Sequence, residues 1–321
     1  AQPPEFVSAC IARTAELNPG WTIFVVNPED PITLEGLADP VPDGEPLDVA
    51  HTADWFRADA LARHGGVWLD ASNVPLLPIE HWVDTQSDAL QGFGAPWDNT
   101  TMENWAFAAP YPCALMREWR DQFRRAIEQG FDAYNDAIPP AQLGCCLANR
   151  LPYLTQHAAW RVARHNLPSA PVRLMPSDGP GGPFDLLVNR YGGDSAAFGQ
   201  QLLDLPQSDF DNTGFVKVRG VDRQYIGPLA SYHGYLATTL TAALPDDYTS
   251  TYYEAHSDSW WIGLCCGVAA ATFFLGICCG HTCGQVGFRA LLRKRRRGEA
   301  ERSGALLGKG GAGDGAGAQG A

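Results

Sequence analysis

The sequence predicts an α/β domain, in which helices flank a mostly parallel sheet, followed by one C-terminal transmembrane helix. Helical apolar stretches alternate with short apolar runs of strand length, and Gly65-Gly66 separates one such helix from one such strand. Further on, a basic run follows a charge-free segment, as is typical of a membrane span. We therefore expect residues 1–258 to form the domain, 259–284 the membrane helix, and 285–321 a basic and then Gly/Ala-rich disordered tail.

The apolar pattern also places the individual elements of the domain. Predicted helices cover residues 5–17, 52–63 and 115–129, with Thr52 as the N-cap of the second. Predicted strands cover residues 21–26, 67–69, 89–93 and 105–108. Pro and Gly are dense in residues 168–183, which we expect to be loop.

The charge distribution separates the domain from the tail. The chain has 23 Lys and Arg against 36 Asp and Glu, a net charge of -13. From Gly287 onward there are 8 basic and 3 acidic residues, which leaves 15 against 33 before that point. Because phosphate backbones require basic surface, so acidic a domain is not expected to bind nucleic acid.

The charge-free segment predicts a single membrane crossing. Residues 260–283 contain no Asp, Glu, Lys or Arg and can span ~30 Å of hydrocarbon. The basic run 293–297 places the tail in the cytosol and the domain in a Golgi-like lumen. A buried core helix is the alternative. Glycines at GxxxG spacing, such as Gly263 and Gly267, permit two copies to pair as a homodimer.

The chemistry is expected around residues 54–72. Asp54 and Arg57 are three apart on a predicted helix and share a face. The glycine pair allows a tight reversal, and the next strand delivers Asp70 to the carboxyl edge of the sheet, where open α/β sheets bind ligands. A hard Mg²⁺ or Mn²⁺ there would join an Asp oxygen to the phosphates of a nucleotide.

These residues resemble a known family. The stretches Ala-Asp-Trp-Phe-Arg at 53–57 and His-Gly-Gly-Val-Trp-Leu-Asp-Ala-Ser at 64–72 are similar to the DXD region of capsular polysaccharide synthesis and initiating α-mannosyltransferase-like glycosyltransferases. Residues 3–27 and 103–109 resemble other segments of the same family. The resemblance covers about residues 3–119 and extends weakly to 160. It implies a GT-A fold with a Rossmann-like sheet, a divalent metal and retention of anomeric configuration. A further strand, before Pro3, is implied only by this family resemblance and is missing from this sequence.

The resemblance also implies roles for single residues. Asp54, Arg57 and Trp105 would contact a GDP- or UDP-linked sugar, and Asp70 and Asn104 would serve catalysis. The metal, Mn²⁺ or Mg²⁺, would be held by Asp70 and Ser72, where Ser72 replaces the second acid of the DXD motif. The acceptor would be a glycan or a glycolipid.

Several residues have a simpler interpretation. Asp54 and Arg57 can form a surface ion pair, and Asp70 can be a strand-end cap. Asp98 and Glu103 are expected in a solvated loop. The histidines at 157 and 233 stand near aromatic residues, where packing is the commoner role. The four cysteines of the domain, Cys10, Cys113, Cys145 and Cys146, show no zinc spacing and are expected to be buried thiols, with one disulfide as the alternative.

Two other functions fit the sequence less well. The first is a non-catalytic, membrane-tethered glycan-binding or scaffold protein on a degenerate transferase fold, which Ser72 favours. The second is a metal-dependent hydrolase, for which the sequence offers neither a His-rich nor a paired-Asp motif.

Overall fold

The computed structural model describes residues 3–26, 35–144 and 146–245, and beyond these only the backbone of two two-residue strands. Apart from these two strands, one in each segment, the predicted membrane helix and the tail lie outside the described residues. The longest helices that are described have 16 residues. Within this part of the chain, no helix combines the length and the apolar character that a bilayer crossing requires.

The domain alternates helices with short strands. The α-helices are α1 Glu5–Leu17, α2 Val49–His64, α3 Ala114–Gln129, α4 Phe131–Asp136, α5 Pro140–Leu143, α6 Thr155–Asn166, α7 Ser195–Gln201, α8 Gly220–Arg223 and α9 Tyr235–Ala243. The strands are β1 Trp21–Thr22, β2 Gly66–Asp70, β3 Asn73–Pro75, β4 Leu90–Ala95, β5 Asp98–Ala109, β6 Val172–Pro176, β7 Phe215–Lys217, β8 Thr272–Phe273 and β9 Arg293–Lys294.

The central sheet is mixed and flanked by helices. Its strand order is β6-β4-β5-β2-β8, and only β4 and β6 are parallel among these pairs. The sequence predicted a mostly parallel sheet, and this part of the prediction is wrong for the described strands. The reason is local: two residues, Pro96 and Trp97, join β4 to β5, and so short a connection permits only an antiparallel hairpin. Strands β3 and β7 pair separately, also antiparallel.

Most predicted elements are present with shifted ends. Helix α1 has the predicted bounds, and α3 and β4 differ from theirs by one or two residues at an end. Helix α2 begins earlier than expected because Asp48, not Thr52, is its N-cap: the Asp48 carboxylate accepts a hydrogen bond from the His51 N–H at 2.8 Å. Strand β1 is limited to two residues, and β6 occupies part of the predicted loop.

Large aromatic side chains form the core between the sheet and α2, α3 and α6. The indoles of Trp55, Trp68, Trp119 and Trp160 are fully buried. Each such side chain removes roughly 150–250 Å² from water, a gain of about 4–6 kcal/mol before the entropy of ordering. This packing fixes α2 against the sheet, which matters because α2 and the strand after it carry the predicted site.

A glycine turn sets the position of that strand. Gly65 ends α2 with a φ of 62°, a conformation that side chains with a Cβ rarely adopt. A Cβ at this position would also lie 2.9 Å from the Cβ of Tyr111. Because the reversal is this tight, β2 begins at Gly66 and brings Asp70 back beside the helix.

Two of the four cysteines agree with the simpler of the two predictions, whereas Cys146 is only half-buried. Cys10 and Cys113 are buried free thiols, and burial raises the pKa of both. Cys145 lies outside the described residues. Neither buried thiol has the depressed pKa that a reactive cysteine requires.

Candidate functional site

Two carboxylates that are distant in sequence meet at one guanidinium. Arg57 Nη1 lies 2.6 Å from Asp54 Oδ1, and Arg57 Nη2 lies 3.5 Å from Asp70 Oδ1. Asp54 and Asp70 are each 7% exposed and Arg57 is 4% exposed. The alternative of a surface ion pair for Asp54 and Arg57 is therefore wrong. Asp70 does lie at the end of its strand, and its carboxylate is buried.

The second cation of this site was missed by the sequence analysis. Lys217, at the end of β7, places Nζ 2.6 Å from Asp70 Oδ2 and 5.4 Å from the centroid of the Trp105 indole. Its side chain is 7% exposed. A signal did exist, because Lys217 interrupts the apolar run Phe-Val-Lys-Val at 215–218 and a cation there is expected to be buried with a partner. We call Asp54, Arg57, Asp70 and Lys217 the α2–β2 cluster.

Two amide side chains hold the cluster in place. Asn104 Nδ2 donates to Asp54 Oδ1 at 3.0 Å and to Gln156 Oε1 at 2.6 Å. Gln156 Nε2 in turn donates to the backbone oxygen of Asp54 at 2.7 Å. Asn104 is among the residues that the resemblance named, whereas Gln156, on α6, was not predicted. The amides orient the Asp54 carboxylate toward Arg57.

Trp105 joins the cluster to a group of aromatic rings. Its indole stacks on Phe93, with ring centroids 5.6 Å apart, and meets Phe215 at 6.0 Å. Its Nε1 is buried, and no acceptor for that N–H exists among the residues that the structure describes. A buried indole N–H normally has a partner, so the N–H of Trp105 departs from the usual pattern.

Burial outweighs charge pairing within the α2–β2 cluster. Burial raises the pKa of Asp54, although the nearby Arg57 opposes the shift. Burial lowers the pKa of Lys217, although its ion pair with Asp70 opposes it. Both shifts favour the uncharged forms. Within the cluster, burial thus partly disfavours the charges of Asp54 and Lys217.

The predicted metal ligands do not form a cation site by themselves. No group of three or more His, Cys, Asp or Glu side chains able to hold a metal occurs in the described ranges. Asp70 Oδ2 faces the Lys217 ammonium, and Oδ1 accepts from Trp68 Nε1 at 3.3 Å. Ser72 is buried two residues further on. Mg²⁺ at nucleotide sites is usually held by one or two carboxylates together with phosphates and waters, and here both oxygens of Asp70 already have partners.

Two acids expected in a loop lie in strand β5 instead. Glu103 is buried, and its Oε2 lies 3.5 Å from Nε2 of His157. The buried His157 Nδ1 has no hydrogen-bond partner among the described residues. Asp98 accepts hydrogen bonds from the hydroxyls of Thr100 and Thr101, and these lower its pKa although burial would raise it. The prediction of a solvated loop here is wrong.

A small cavity of about 220 Å³ lies on the other side of the aromatic group. Phe93 and Phe215 line it, together with Trp82 and the turn at 180–183. None of the predicted site residues lines it. Since both phenylalanines contact Trp105, the cavity and the α2–β2 cluster are separated by one layer of rings.

Comparison with known proteins finds no match for this chain: no protein-family profile, no curated protein and no solved structure. The resemblance to glycosyltransferases therefore rests on the motifs quoted above.

Proposed function

We propose that this protein is a glycosyltransferase that moves a hexose from a GDP- or UDP-linked donor to a glycan or glycolipid. One observation carries the proposal. Asp54, Arg57, Asp70 and Asn104, which the resemblance named from separate motifs, lie in one hydrogen-bonded group. Unrelated surface residues would not be expected to converge in this way. The mixed, helix-flanked sheet agrees with a GT-A-like fold, which is part of the proposal.

The chemistry of the cluster suits a nucleotide sugar. Carboxylates such as Asp54 accept hydrogen bonds from ribose or hexose hydroxyls, and the charge makes those bonds strong. A guanidinium such as Arg57 binds phosphate oxygens with planar geometry. Because the cluster is buried, these charges act in a low dielectric, where they stabilise developing charge most effectively.

In the proposed reaction, the bond between the anomeric carbon and the phosphate oxygen breaks, and the electron pair stays on the diphosphate. The acceptor hydroxyl oxygen bonds to the anomeric carbon, and its proton passes to the departing diphosphate. Retention of configuration requires that the acceptor approach from the side the diphosphate leaves. The contribution of this chain is to hold the diphosphate and offset the charge it gains.

The proposal includes a location. We place the chain in a membrane through residues 259–284, with the domain in a Golgi-like lumen and the tail in the cytosol. The support is the charge pattern of the sequence, a charge-free segment followed by the basic run 293–297.

Replacing Asp70 by Asn tests the function. The variant keeps the side-chain volume but removes the charge that both Lys217 and Arg57 contact. We expect transfer and donor hydrolysis to fall by about 100-fold or more, with a folded protein by circular dichroism. The assay is a panel of UDP- and GDP-hexoses.

The matched control is Asp121→Asn, which changes a carboxylate that is 46% exposed and lies outside the α2–β2 cluster. It should keep full activity. Full activity in Asp70→Asn as well would disprove the assignment.

A second candidate function is binding without turnover, by a membrane-tethered glycan-binding or scaffold protein. The observation in its favour is that Lys217 and Arg57 already neutralise Asp70, while Ser72 provides no second charge. Calorimetric titration with the same donors separates the two. Binding without release of free sugar or transfer product supports the second candidate.

A further inference from the structure

We propose that the Lys217 ammonium takes the place of a divalent metal at this site, so that the donor diphosphate binds without Mn²⁺ or Mg²⁺. This inference rests on the proposed function. Its basis is the contact between Lys217 Nζ and Asp70 Oδ2, 2.6 Å long and buried. Asp70 is the residue to which the resemblance gave the metal.

The ammonium and a metal compete for the same oxygen. A Mg²⁺ ligand oxygen lies about 2.0–2.1 Å from the ion, inside the space that the Lys217 Nζ occupies beside Asp70. A second cation at that distance would also be repelled by Lys217. The other Asp70 oxygen is close to Arg57 and accepts from Trp68. Neither oxygen of Asp70 is therefore open to a metal.

The net charge supports the same conclusion and explains Ser72. Two carboxylates and a divalent metal carry no net charge together. Here Ser72 replaces one carboxylate, which removes one negative charge, and an ammonium replaces the metal, which removes one positive charge. Asp70 with Lys217 is again neutral. The two departures from the family pattern thus compensate each other, whereas Ser72 alone would leave an excess of positive charge beside a bound metal.

A second feature points to an anionic ligand next to Lys217. An ammonium has three N–H donors, of which Asp70 accepts one. Beneath it lies Trp105, whose buried Nε1 has no acceptor within the described part of the domain. Phosphate oxygens accept from both kinds of donor. An anion here would also restore the Lys217 pKa that burial lowers.

The experiment measures UDP and GDP affinity by calorimetry, in EDTA and in added Mn²⁺. For the unaltered chain we expect the same affinity, to within about twofold, in both conditions. Lys217→Met should bind about 10- to 100-fold more weakly, the value of a charge-assisted hydrogen bond. Lys217→Arg keeps the positive charge and should retain most of the affinity.

Arg120→Met is the matched control, because it removes a partly buried cation that pairs with Asp59, an aspartate outside the α2–β2 cluster. Its folded fraction should bind with unaltered affinity. Binding of the unaltered chain in Mn²⁺ but not in EDTA would overturn this inference and leave the proposed function standing. Absence of binding in both conditions would overturn the proposed function and the inference with it.

Unaltered affinity in Lys217→Met would overturn the role of the ammonium. If that variant does not fold, the EDTA measurement on the unaltered chain and the affinity of Lys217→Arg decide the question. An Arg variant that gains a requirement for Mn²⁺ would also count against the inference.

Discussion

Helix α2 contributes to two groups of paired charges. The two groups differ in how burial changes the pKa values of their members. One is the α2–β2 cluster. The other, which we call the α2–α3 cluster, consists of Asp59, Arg63, Arg120 and Asp121. In the α2–α3 cluster, burial would lower the pKa of Arg120, but Asp59 and Asp121 outweigh it and the pKa is raised. In the α2–β2 cluster, burial prevails over Asp70 and lowers the pKa of Lys217.

The difference follows from where the cations lie. The side chains of Arg120 and Arg63 are 19% and 39% exposed, so their charged ends remain partly hydrated while Asp59 is fully buried between them. In the α2–β2 cluster all four side chains are at most 10% exposed. The α2–α3 cluster joins helix α2 to helix α3. The α2–β2 cluster costs stability, because its charges are buried away from water, and ligand sites often carry such a cost.

The largest expected effect is on the α2–α3 cluster. Asp59→Asn removes the carboxylate that accepts from Arg120 at 2.7 Å and from the Asp39 N–H at 2.7 Å. We expect the free energy of unfolding in urea to fall by about 3 kcal/mol, because a buried charge pair is broken on one side. Asp54→Asn should cost less, since Asp54 is itself disfavoured by burial. Equal losses of unfolding free energy in Asp59→Asn and Asp54→Asn would show that the two clusters do not differ.

An intermediate effect is expected in the pH dependence of stability. The raised pKa of Asp54 means that the folded state holds its proton longer than the unfolded state does. Its contribution is therefore present below the ordinary aspartate pKa of 3.8 and is lost as the pH rises through the folded-state pKa. The unfolding free energy of the unaltered chain should accordingly fall relative to that of Asp54→Asn as the pH rises through the folded-state pKa of Asp54, so that the advantage of the unaltered chain shrinks.

Asp98→Asn serves as the control, because the Asp98 carboxylate is expected to change the pH dependence of stability in the opposite direction. The pKa of Asp98 is lowered by its threonine hydrogen bonds although burial opposes this. Its contribution is present above pH 3.8 and is lost as the pH falls through the folded-state pKa. Matching slopes for the two variants would show that burial does not prevail at Asp54.

The smallest effect is expected at the rim of the α2–α3 cluster. Arg63 lies 3.6 Å from Asp59 and also pairs with Asp39, at the surface. Arg63→Gln should lower the free energy of unfolding by about 0.5 kcal/mol, the typical value of an exposed pair. If Arg63→Gln lowered the free energy of unfolding as much as Asp59→Asn, the main partner of Asp59 would be Arg63 and not Arg120.

The sequence predicted those parts of the site whose geometry depends on residues close together in the chain. Asp54 and Arg57 are one helical turn apart, and the glycine reversal needs only Gly65 and Gly66 to return Asp70 to the helix. Such features depend on local backbone geometry, so a pattern within about twenty residues was sufficient. Whether Asp54 and Arg57 were exposed was not encoded locally. That depended on the packing of α3 and α6 over α2.

The residues that were missed come from far along the chain. Gln156 contacts Asp54 across 102 positions, and Lys217 contacts Asp70 across 147. Neither belongs to a motif, and their approach depends on the pairing of β3 with β7 and on the placement of α6. The mixed sheet was missed for a related reason. Alternating helices and strands indicate the class of fold, but the direction of each strand depends on connections as short as Pro96-Trp97.

The ion pair between Asp70 and Lys217 also has a consequence for synthesis. At about 5–20 residues per second, the ribosome makes Lys217 roughly 7–30 s after Asp70. Throughout that interval the nascent chain holds Asp70 without its principal cation, and β3 without its partner strand. The interior of the α2–β2 cluster can therefore close only after nearly the whole domain has left the exit tunnel. This region therefore completes its folding well after the ribosome has made its first half.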